Sequence, residues 1–407
     1  MKFRILHIFN DEKFVDPTIK LFEEVIPGQS IYYIICSRNK ELLYVKSLDV
    51  IKVDFDNEVD KNKLIVKINS SPENFVFLHS LDLHKQQLVS SISPGIIKVW
   101  FIWGFDLYGN WHLFKQNIFE SRTRSSLNKD KIHKHKLIYN NFSYYLFKKR
   151  VYVKLICKKI YKILNDAYNT NFYKAVQLID FAVPVIPTEY EMVKRINKNI
   201  QYAPFTYGCL EDLLGENFNK TVINQSNILV GNSADPSNNH LEIFYILSKL
   251  HLRDRKVYVP LSYGGNSAYI NIIMQTGYDL LGSNFCPIIQ YMSIEEYNKI
   301  LLSCGSLIFN HIRQQGVGNI IALSYLGATI FLNSKSPVYS YYKSLGMSIF
   351  SIKHIESKIN MRLDFEKNNI NRSLLIDLYS RQAVHNKIIT LLNLLKTPQS
   401  SIINSLK

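Results

Sequence analysis

NILVGNSADPSNNHLEIFYILSKL, residues 227–250, opens on a short apolar run, turns at Gly231 into a polar loop, and resumes from His240 as an apolar-rich stretch. Strand, loop and helix in that order make one βα unit. A continuous apolar run this short suits a strand buried on both faces of a parallel sheet. Toward the C-terminus the alternation repeats. Strand signals at KVYVPLSYG (256–264), 287–291, SLIFN (306–310), ATIFLN (328–333) and SIFSI (348–352) alternate with helical stretches near 268–276, 294–303, 319–326 and 338–345. The second half therefore reads as a doubly wound α/β domain.

Toward the N-terminus, FRILHIF (3–9), SIYYIIC (30–36), LDVIKVDF (48–55), NFVFLHS (74–80) and IIKVWFIWG (96–104) carry the same pattern, with a helical stretch from Pro17 to Val25. In IDFAVPVIP (179–187), Pro184 and Pro187 mark a change of direction, because proline cannot donate to a central ladder. The expected organisation is a Rossmann-like domain over 1–190 with a basic insert at 122–164, a second one over 191–375, and a C-terminal helix and tail over 376–407. The halves share a fold without an evident sequence repeat. Facing one another, two such domains would leave a central cleft at the carboxyl ends of their strands, where open α/β sheets bind ligands.

With 407 residues, 47% of them hydrophobic, the chain can build a core for each domain, and 16 glycines and 12 prolines leave little room for long linkers. Five cysteines form no CxxC pair, which argues against a zinc site or disulfide framework and for a reducing compartment. The N-terminal apolar run is too short for a signal-peptide core, and no run approaches the ~18 residues of a membrane span.

The 49 Lys and Arg exceed the 33 Asp and Glu, for a net charge of +16. An excess of this size points to a polyanionic partner, either nucleic acid or an anionic lipid leaflet. It is concentrated: from Arg122 to Lys162 there are thirteen Lys or Arg and one acid, Asp130. On a helical wheel over Tyr144–Leu164, Lys148, Arg150, Lys154, Lys158, Lys159 and Lys162 fall on one half. Leu146, Val153, Ile156, Ile160, Ile163 and Leu164 fall on the other, while Lys149, Val151 and Leu155 break the pattern.

Three loops carry candidate chemistry. In GNSADPSNNH (231–240), Gly231 lets backbone approach a phosphate, the following helix offers free N–H groups, and Ser233, Ser237 and Asn238 add neutral partners. The same residues also fit a plain turn with Ser237 or Asn238 as helix N-cap. In RQQGVGN (313–319), Arg313 can neutralise a diphosphate while Gly316 and Gly318 let amides close around it; a glycine pair before a helix is also common punctuation. In PLSYGGN (260–266), Tyr263 can stack on a base or sugar and Gly264 keeps the approach open, although a strand-end aromatic also suits a core.

In the first half, WGFDLY (103–108) ends a strand, and Asp106 there would accept the proton of an attacking hydroxyl or cap the next helix. Asp54 and Asp56 match a DxD spacing but read as a solvated turn. His79 and His84 lack partners at ligand spacing, and HExxH, GxSxG, GxxxxGK[ST] and GxGxxG are all absent.

Taken together, WGFDLY (103–108), GNSADPSNNH (231–240), VPLSYGGNSAYI (259–270) and RQQGVGN (313–319) resemble glycosyltransferase family 56. That family transfers 4-acetamido-4,6-dideoxy-D-galactose from a dTDP donor to a polyprenyl-diphosphate-linked disaccharide in enterobacterial common antigen assembly. The resemblance implies a GT-B fold, with the donor on the C-terminal domain and the lipid-linked acceptor on the N-terminal one. It nominates Gly231, Asn232, Ser233, Asn238, Tyr263, Gly264, Arg313, Gln314, Gln315, Gly316, Gly318 and Asn319 for the nucleotide sugar. Arg313 and Asp106 become the catalytic candidates. The expected enzyme needs no metal or other cofactor, and its basic helix would dock on anionic lipid at the cytoplasmic face of the bacterial inner membrane. Two rival readings are a nucleic-acid-binding or DNA-modifying sugar transferase, which the concentrated charge disfavours, and a non-catalytic nucleotide-sugar-binding partner in glycan assembly.

Overall fold

β1 (Arg4–Phe9), β2 (Ser30–Ile35), β3 (Val50–Val53), β4 (Asn74–His79), β5 (Ile97–Phe101), β6 (Phe181–Val183) and β7 (Gln201–Tyr202) form a seven-stranded sheet in the order β3-β2-β1-β4-β5-β6-β7. Every pairing is parallel; β1 lies between β2 and β4, with Ile5 opposite Ser30 on one side and Phe75 on the other. The computed structural model describes residues 3–110, 118–127 and 141–397. The apolar runs become strands because both sheet faces are covered: Ile5, Leu6, Ile8 and Phe9 of β1 are all buried. Proline behaves as expected at 184 and 187, since β6 stops before Pro184 and Pro187 opens a 3-10 turn.

β8 (Asn227–Val230), β9 (Val257–Pro260), β10 (Phe285–Ile288), β11 (Cys304–Phe309), β12 (Thr329–Leu332) and β13 (Phe350–Ser351) make a second parallel sheet, ordered β10-β9-β8-β11-β12-β13. Pro287 sits in β10, at the sheet edge, where its missing N–H breaks no inner ladder. In both sheets the first strand is flanked by the second and the fourth. Each therefore has a switch point, β1/β4 and β8/β11, where successive connections depart to opposite sides. The expected pair of doubly wound domains is present.

The chain divides between the two at other points than the sequence suggested. One unit comprises Met1–Phe114, Asn141–Cys209 and Arg381–Lys407; the other comprises Lys115–Asn140 and Leu210–Ser380. The expected C-terminal helix and tail is thus part of the first unit. Helix Arg381–Lys396 buries Val384, Ile388, Leu391, Leu392 and Leu395 in the same core as Leu21 and Phe22, and Arg381 and His385 both bond Glu24.

The basic insert is also divided. Helix Ser121–Ser126 belongs to the second unit, where Thr123 bonds Glu242 through its N–H (2.9 Å) and hydroxyl (2.7 Å), and Arg122 lies 3.6 Å from the Tyr245 ring centre. The amphipathic pattern over 144–164 implies one helix. There are three, Asn141–Lys148, Arg150–Ile156 and Lys158–Ala167, with Cys157 extended between the last two. The lysines of 128–140 lie outside the described residues.

Candidate functional site

In the second unit, loops after β8, β9 and β11 meet at the carboxyl edge of three neighbouring strands. Glycine makes the meeting possible at Gly265, whose φ is +68° and whose added Cβ would lie 2.2 Å from the Ala234 carbonyl oxygen. Ala234 N–H in turn donates to the Tyr263 carbonyl (2.8 Å). At Gly316, with φ +65°, a Cβ would meet the Phe309 ring at 2.6 Å and Asn232 at 3.2 Å. Each loop can approach the next only through a residue without a side chain.

Side chains then stitch the three loops together. Arg313 Nε donates to Ser237 Oγ (2.8 Å), and Arg313 Nη2 lies 3.8 Å from Asp235 Oδ1. The Ser237 hydroxyl is 2.5 Å from Asp235 Oδ1 and 2.7 Å from Gln315 Oε1. Gln315 Nε2 donates to Asn232 Oδ1 (2.9 Å) and Ser233 Oγ (3.2 Å), and Asn232 Nδ2 donates to the Tyr263 hydroxyl (2.9 Å). Arg313, Gln315, Asn232, Ser233 and Tyr263 thus share one network, with Gly231, Gly264 and Gly316 in the backbone beneath it.

Asn238 acts inside the loop. Its Oδ1 accepts from Asn232 N–H (2.9 Å) while its Nδ2 donates to Ser233 Oγ (3.1 Å) and the Asp235 carbonyl (2.8 Å). That assignment makes His311 Nε2, 2.7 Å from Asn238 Oδ1, the protonated nitrogen. Burial, and then the Arg313 charge, hold His311 well below the ordinary imidazole range, so it is neutral. Below this lies a ladder of buried asparagines: Asn239 Nδ2 donates to the Asn310 carbonyl (3.0 Å), and Asn333 Nδ2 to Asn310 Oδ1 (2.7 Å). The sequence reading missed Asp235, His311 and this ladder; the Asp-Pro-Ser turn was the visible signal for Asp235, and nothing local marked the others.

The helix starts differ from one another. The helices Ser267–Leu281, Ile294–Ser303 and Pro337–Ser344, which follow β9, β10 and β12, are closed by side chains of Asn266, Ser293 and Ser336. The two at the switch point, His240–Leu247 after β8 and Val317–Leu326 after β11, start on left-handed residues, Asn239 and Gly316, with no side-chain cap. Ser237 and Asn238 are therefore not N-caps of the helix after β8; they fold the loop. Uncapped first turns present N–H groups and a positive dipole end.

Three nominated residues stand apart from the network. Gln314 is buried in the same loop, with its Oε1 unpartnered among the described residues. Gly318 is exposed, its nearest neighbour for a Cβ being Leu213 at 3.9 Å. Asn319 donates to the Tyr297 hydroxyl (2.9 Å) in a hollow lined by Leu213, Leu301 and Leu326.

In the first unit, Asp106, expected at a strand end as proton acceptor or helix cap, is a buried bracket. Its carboxylate accepts from Trp100 Nε1 (2.7 Å), Leu81 N–H (2.9 Å), Leu107 N–H (3.0 Å) and Trp103 N–H (3.1 Å). Burial raises its pKa despite these bonds. With its lone pairs committed to holding the ends of β4 and β5 together, it is a poor proton acceptor. Nor does it cap the short helix Phe105–Tyr108, which starts from Gly104.

The switch point of this unit carries other groups. Lys85 is fully buried; its Nζ bonds Asp82 and Asn10 Oδ1 (2.8 Å). Burial alone would raise Asp82, but the Lys85 charge and the bonds from Lys85 and Asn10 outweigh it and hold the carboxyl below its usual range. Asp82 also closes helix Leu83–Val89. Glu12, in the loop after β1, is half-buried and makes no ion pair or side-chain hydrogen bond among the described residues; burial raises its pKa. In the same unit, Trp103 Nε1 donates to the Tyr207 hydroxyl (2.6 Å), and a hydrogen-bonded chain continues through His79 Nδ1 (2.7 Å), His79 Nε2 with His7 Nδ1 (3.0 Å), and His7 Nε2 with Ser30 Oγ (3.2 Å). Burial holds both imidazoles below their ordinary range, so both are neutral.

Of the six nominated basic residues, Lys148, Lys154, Lys158, Lys159 and Lys162 are exposed. Arg150 is engaged in packing instead, its guanidinium 4.7 Å from the Phe147 ring centre and 5.2 Å from that of Tyr173. Asp54 and Asp56 sit in the turn before helix Glu58–Asn69, with Asp56 exposed.

Residues 192–370 match the sequence model of the family described as 4-alpha-L-fucosyltransferase, glycosyl transferase group 56. The resemblance read from the motifs holds over that span, a little under half the chain; WGFDLY lies outside it. Among solved structures, sucrose-phosphate synthase from Thermosynechococcus elongatus is similar at a TM-score of 0.62 and 8% identity, covering 96% of this chain and 99% of that one. Anabaena HepE in complex with UDP-glucose gives 0.59 and 9%, with the same coverage of both chains. A glycosyltransferase from Rickettsia africae gives 0.61 and 14%, covering 97% and 99%. At such identities the likeness is one of fold, and that fold is GT-B.

Proposed function

Starting from residues 192–370 as those of a group 56 glycosyltransferase on a GT-B fold, we propose that the loops after β8 and β11 hold the diphosphate of a nucleotide sugar. The observation that carries this reading is the pair of uncapped helix starts at the switch point, with Arg313 tied between their loops. Peptide N–H groups, two dipole ends and one guanidinium would stabilise the leaving diphosphate as fixed dipoles, the arrangement that needs no reorganisation when charge develops. Anabaena HepE, of the same fold, is described in complex with UDP-glucose, which supports a nucleotide sugar as the ligand class. Tyr263, exposed and tied by its hydroxyl to Asn232, is available to stack on base or sugar.

In the reaction, the bond from the sugar's anomeric carbon to the β-phosphate oxygen breaks and one to an acceptor hydroxyl oxygen forms. The diphosphate leaves with the electron pair, and the hydroxyl proton passes to a base. Glu12 is our candidate for that base in place of Asp106, because among the described residues its carboxylate makes no ion pair or side-chain hydrogen bond, whereas that of Asp106 accepts four; burial raises both pKa values. Following the family resemblance, the donor is a dTDP-4-acetamido-4,6-dideoxyhexose. The acceptor is a polyprenyl-diphosphate-linked saccharide of bacterial surface polysaccharide synthesis, met at the cytoplasmic face of the inner membrane. No helix among the described residues is long and apolar enough to cross a membrane, so the enzyme would reach that acceptor from the surface.

The test is incubation of the purified protein with a panel of nucleotide sugars and a polyprenyl-linked acceptor extract, with lipid-linked products read by mass. New product from the dTDP-deoxyamino sugar supports the reading; neither product nor nucleotide binding by calorimetry overturns it. Glu12→Gln should then cut turnover about 10²–10⁴-fold at unchanged donor affinity. Because the base must be ionised, the wild-type rate should fall on acidification at a pH above the ordinary glutamate range. An unchanged rate in the variant removes Glu12 from the role.

A further inference from the structure

An amphipathic helix that docks by charge alone keeps its apolar side on the protein and its lysines outward. The segment 150–164 does not. Val153 and Leu164 are buried, and Phe147 anchors the preceding helix by stacking on Tyr168 at 4.8 Å. Yet Leu155 is 83% exposed, Ile156 87%, Val151 68% and Tyr152 65%. Val151 and Leu155, and likewise Tyr152 and Ile156, are four residues apart, so the four make two adjacent rows on helix Arg150–Ile156. Ile160 and Ile163 continue the exposed apolar surface on helix Lys158–Ala167. Around them stand Lys154, Lys158, Lys159 and Lys162, all exposed, and 141–165 contains no acid.

We propose that this surface inserts into an anionic bilayer, with Val151, Tyr152, Leu155 and Ile156 entering the boundary between headgroups and acyl chains while the lysines meet lipid phosphates. The inference rests on the lipid-linked acceptor reading and sharpens it: the attachment is hydrophobic as well as electrostatic. A bilayer fits better than a second copy of this chain, because a two-fold contact would set lysine against lysine with no carboxylate to pair them. It also fits better than a nucleic acid, which offers no apolar layer for Leu155 and Ile156. Transfer of a fully buried aliphatic side chain is worth on the order of ten-fold in partitioning.

The test uses the full chain with vesicles of neutral phosphatidylcholine or of phosphatidylcholine mixed with phosphatidylglycerol. Wild type should sediment with the mixed vesicles and retain part of that binding at high salt. The variant L155S/I156S should bind at least about ten-fold more weakly and lose what remains at high salt, whereas K158Q/K159Q/K162Q should lose the preference for anionic lipid. Both sets of positions are exposed, so thermal unfolding should stay at the wild-type temperature. In Leu155→Trp, indole emission should shift to the blue on binding and be quenched by brominated acyl chains. An emission from the introduced indole that does not move in the bound protein, or wild-type binding abolished by salt, overturns insertion. So does a concentration-dependent dimer that Leu155→Ser dissolves in place of vesicle binding. Transfer to a short-chain water-soluble acceptor should be equal in wild type and L155S/I156S. Should that transfer fail in both while vesicle insertion persists, the glycosyltransferase reading falls and the insertion surface stands.

Discussion

The two sheets share the order of their first six strands and put different chemistry at the same places, although the helix after the first strand lacks a side-chain cap in both. In the second unit, the loops after the first and fourth strands start their helices from left-handed residues without side-chain caps, and the fourth-strand loop supplies Arg313. In the first unit, the fourth-strand loop supplies Asp82, which caps its own helix and balances the buried Lys85, while the first-strand loop supplies Glu12. At the first edge the loops carry the carboxylates of Asp82 and Glu12 with a buried Lys85; at the second they carry uncapped helix N–H groups and the Arg313 guanidinium, with Asp235 beside it. Topology provides both crevices, and on the proposed reading the uncapped helix starts and Arg313 favour the second for an anion.

The largest test of this contrast is acidification. Among the described residues each unit buries two neutral histidines, His7 and His79 in the first, His240 and His311 in the second, and burial lowers all four; His7 and His240 reach about 3. In the unfolded chain they take up protons near pH 6.5 while the folded chain does not. Stability is therefore full above that pH and falls below it, at about 1.4 kcal/mol per pH unit per histidine. Urea unfolding followed from pH 7 down to pH 5 should lose several kcal/mol, and a flat profile would show that these imidazoles are protonated in place. Donor binding should be lost first if His311 yields before His7, because only His311 bonds the loop that carries Asn232 and Ser233.

Next in size is Arg313→Ala, expected to lower turnover about 10²–10³-fold with the unfolding midpoint little changed. Its ion pair is with Asp235, a partly exposed partner, so the structural loss is modest. Near-normal turnover would erase the electrostatic difference between the two edges. The smallest effects separate two glycines of the same unit. Gly265→Ala forces a left-handed residue and a Cβ onto the Ala234 carbonyl, and should cost about 1–3 kcal/mol together with nucleotide affinity. Gly318→Ala meets open space and should change stability by less than about 0.5 kcal/mol and leave nucleotide affinity intact. A marked loss of affinity in the Gly318 variant would restore that residue to the site.

Much of this was legible in advance, and the misses share one cause. Apolar runs such as NILV and SLIF announce buried parallel strands, because a strand covered on both faces has no polar side to show. Polar, glycine-bearing loops at their ends marked Gly231, Tyr263 and Arg313 as candidates. Asp106 was misread because an acid at a strand end looks the same in sequence whether its lone pairs face solvent or four donors. The helices of 141–167 were misread because a wheel assigns faces but not what covers them, and only packing leaves Leu155 and Ile156 outside.

What the amino-acid sequence by itself determined was the alternation of elements, two doubly wound sheets, the concentration of charge in one segment, and which loops end the strands. Those follow from local composition and period, which act over a few residues. Tertiary structure alone decided that three loops share one network, that Asp106 is spent on holding β4 to β5, and that the last helix returns to the first unit. Each depends on partners far away along the chain, such as Asn232 with Gln315 or Arg381 with Glu24, and no local pattern encodes a contact made only when the sheets have formed.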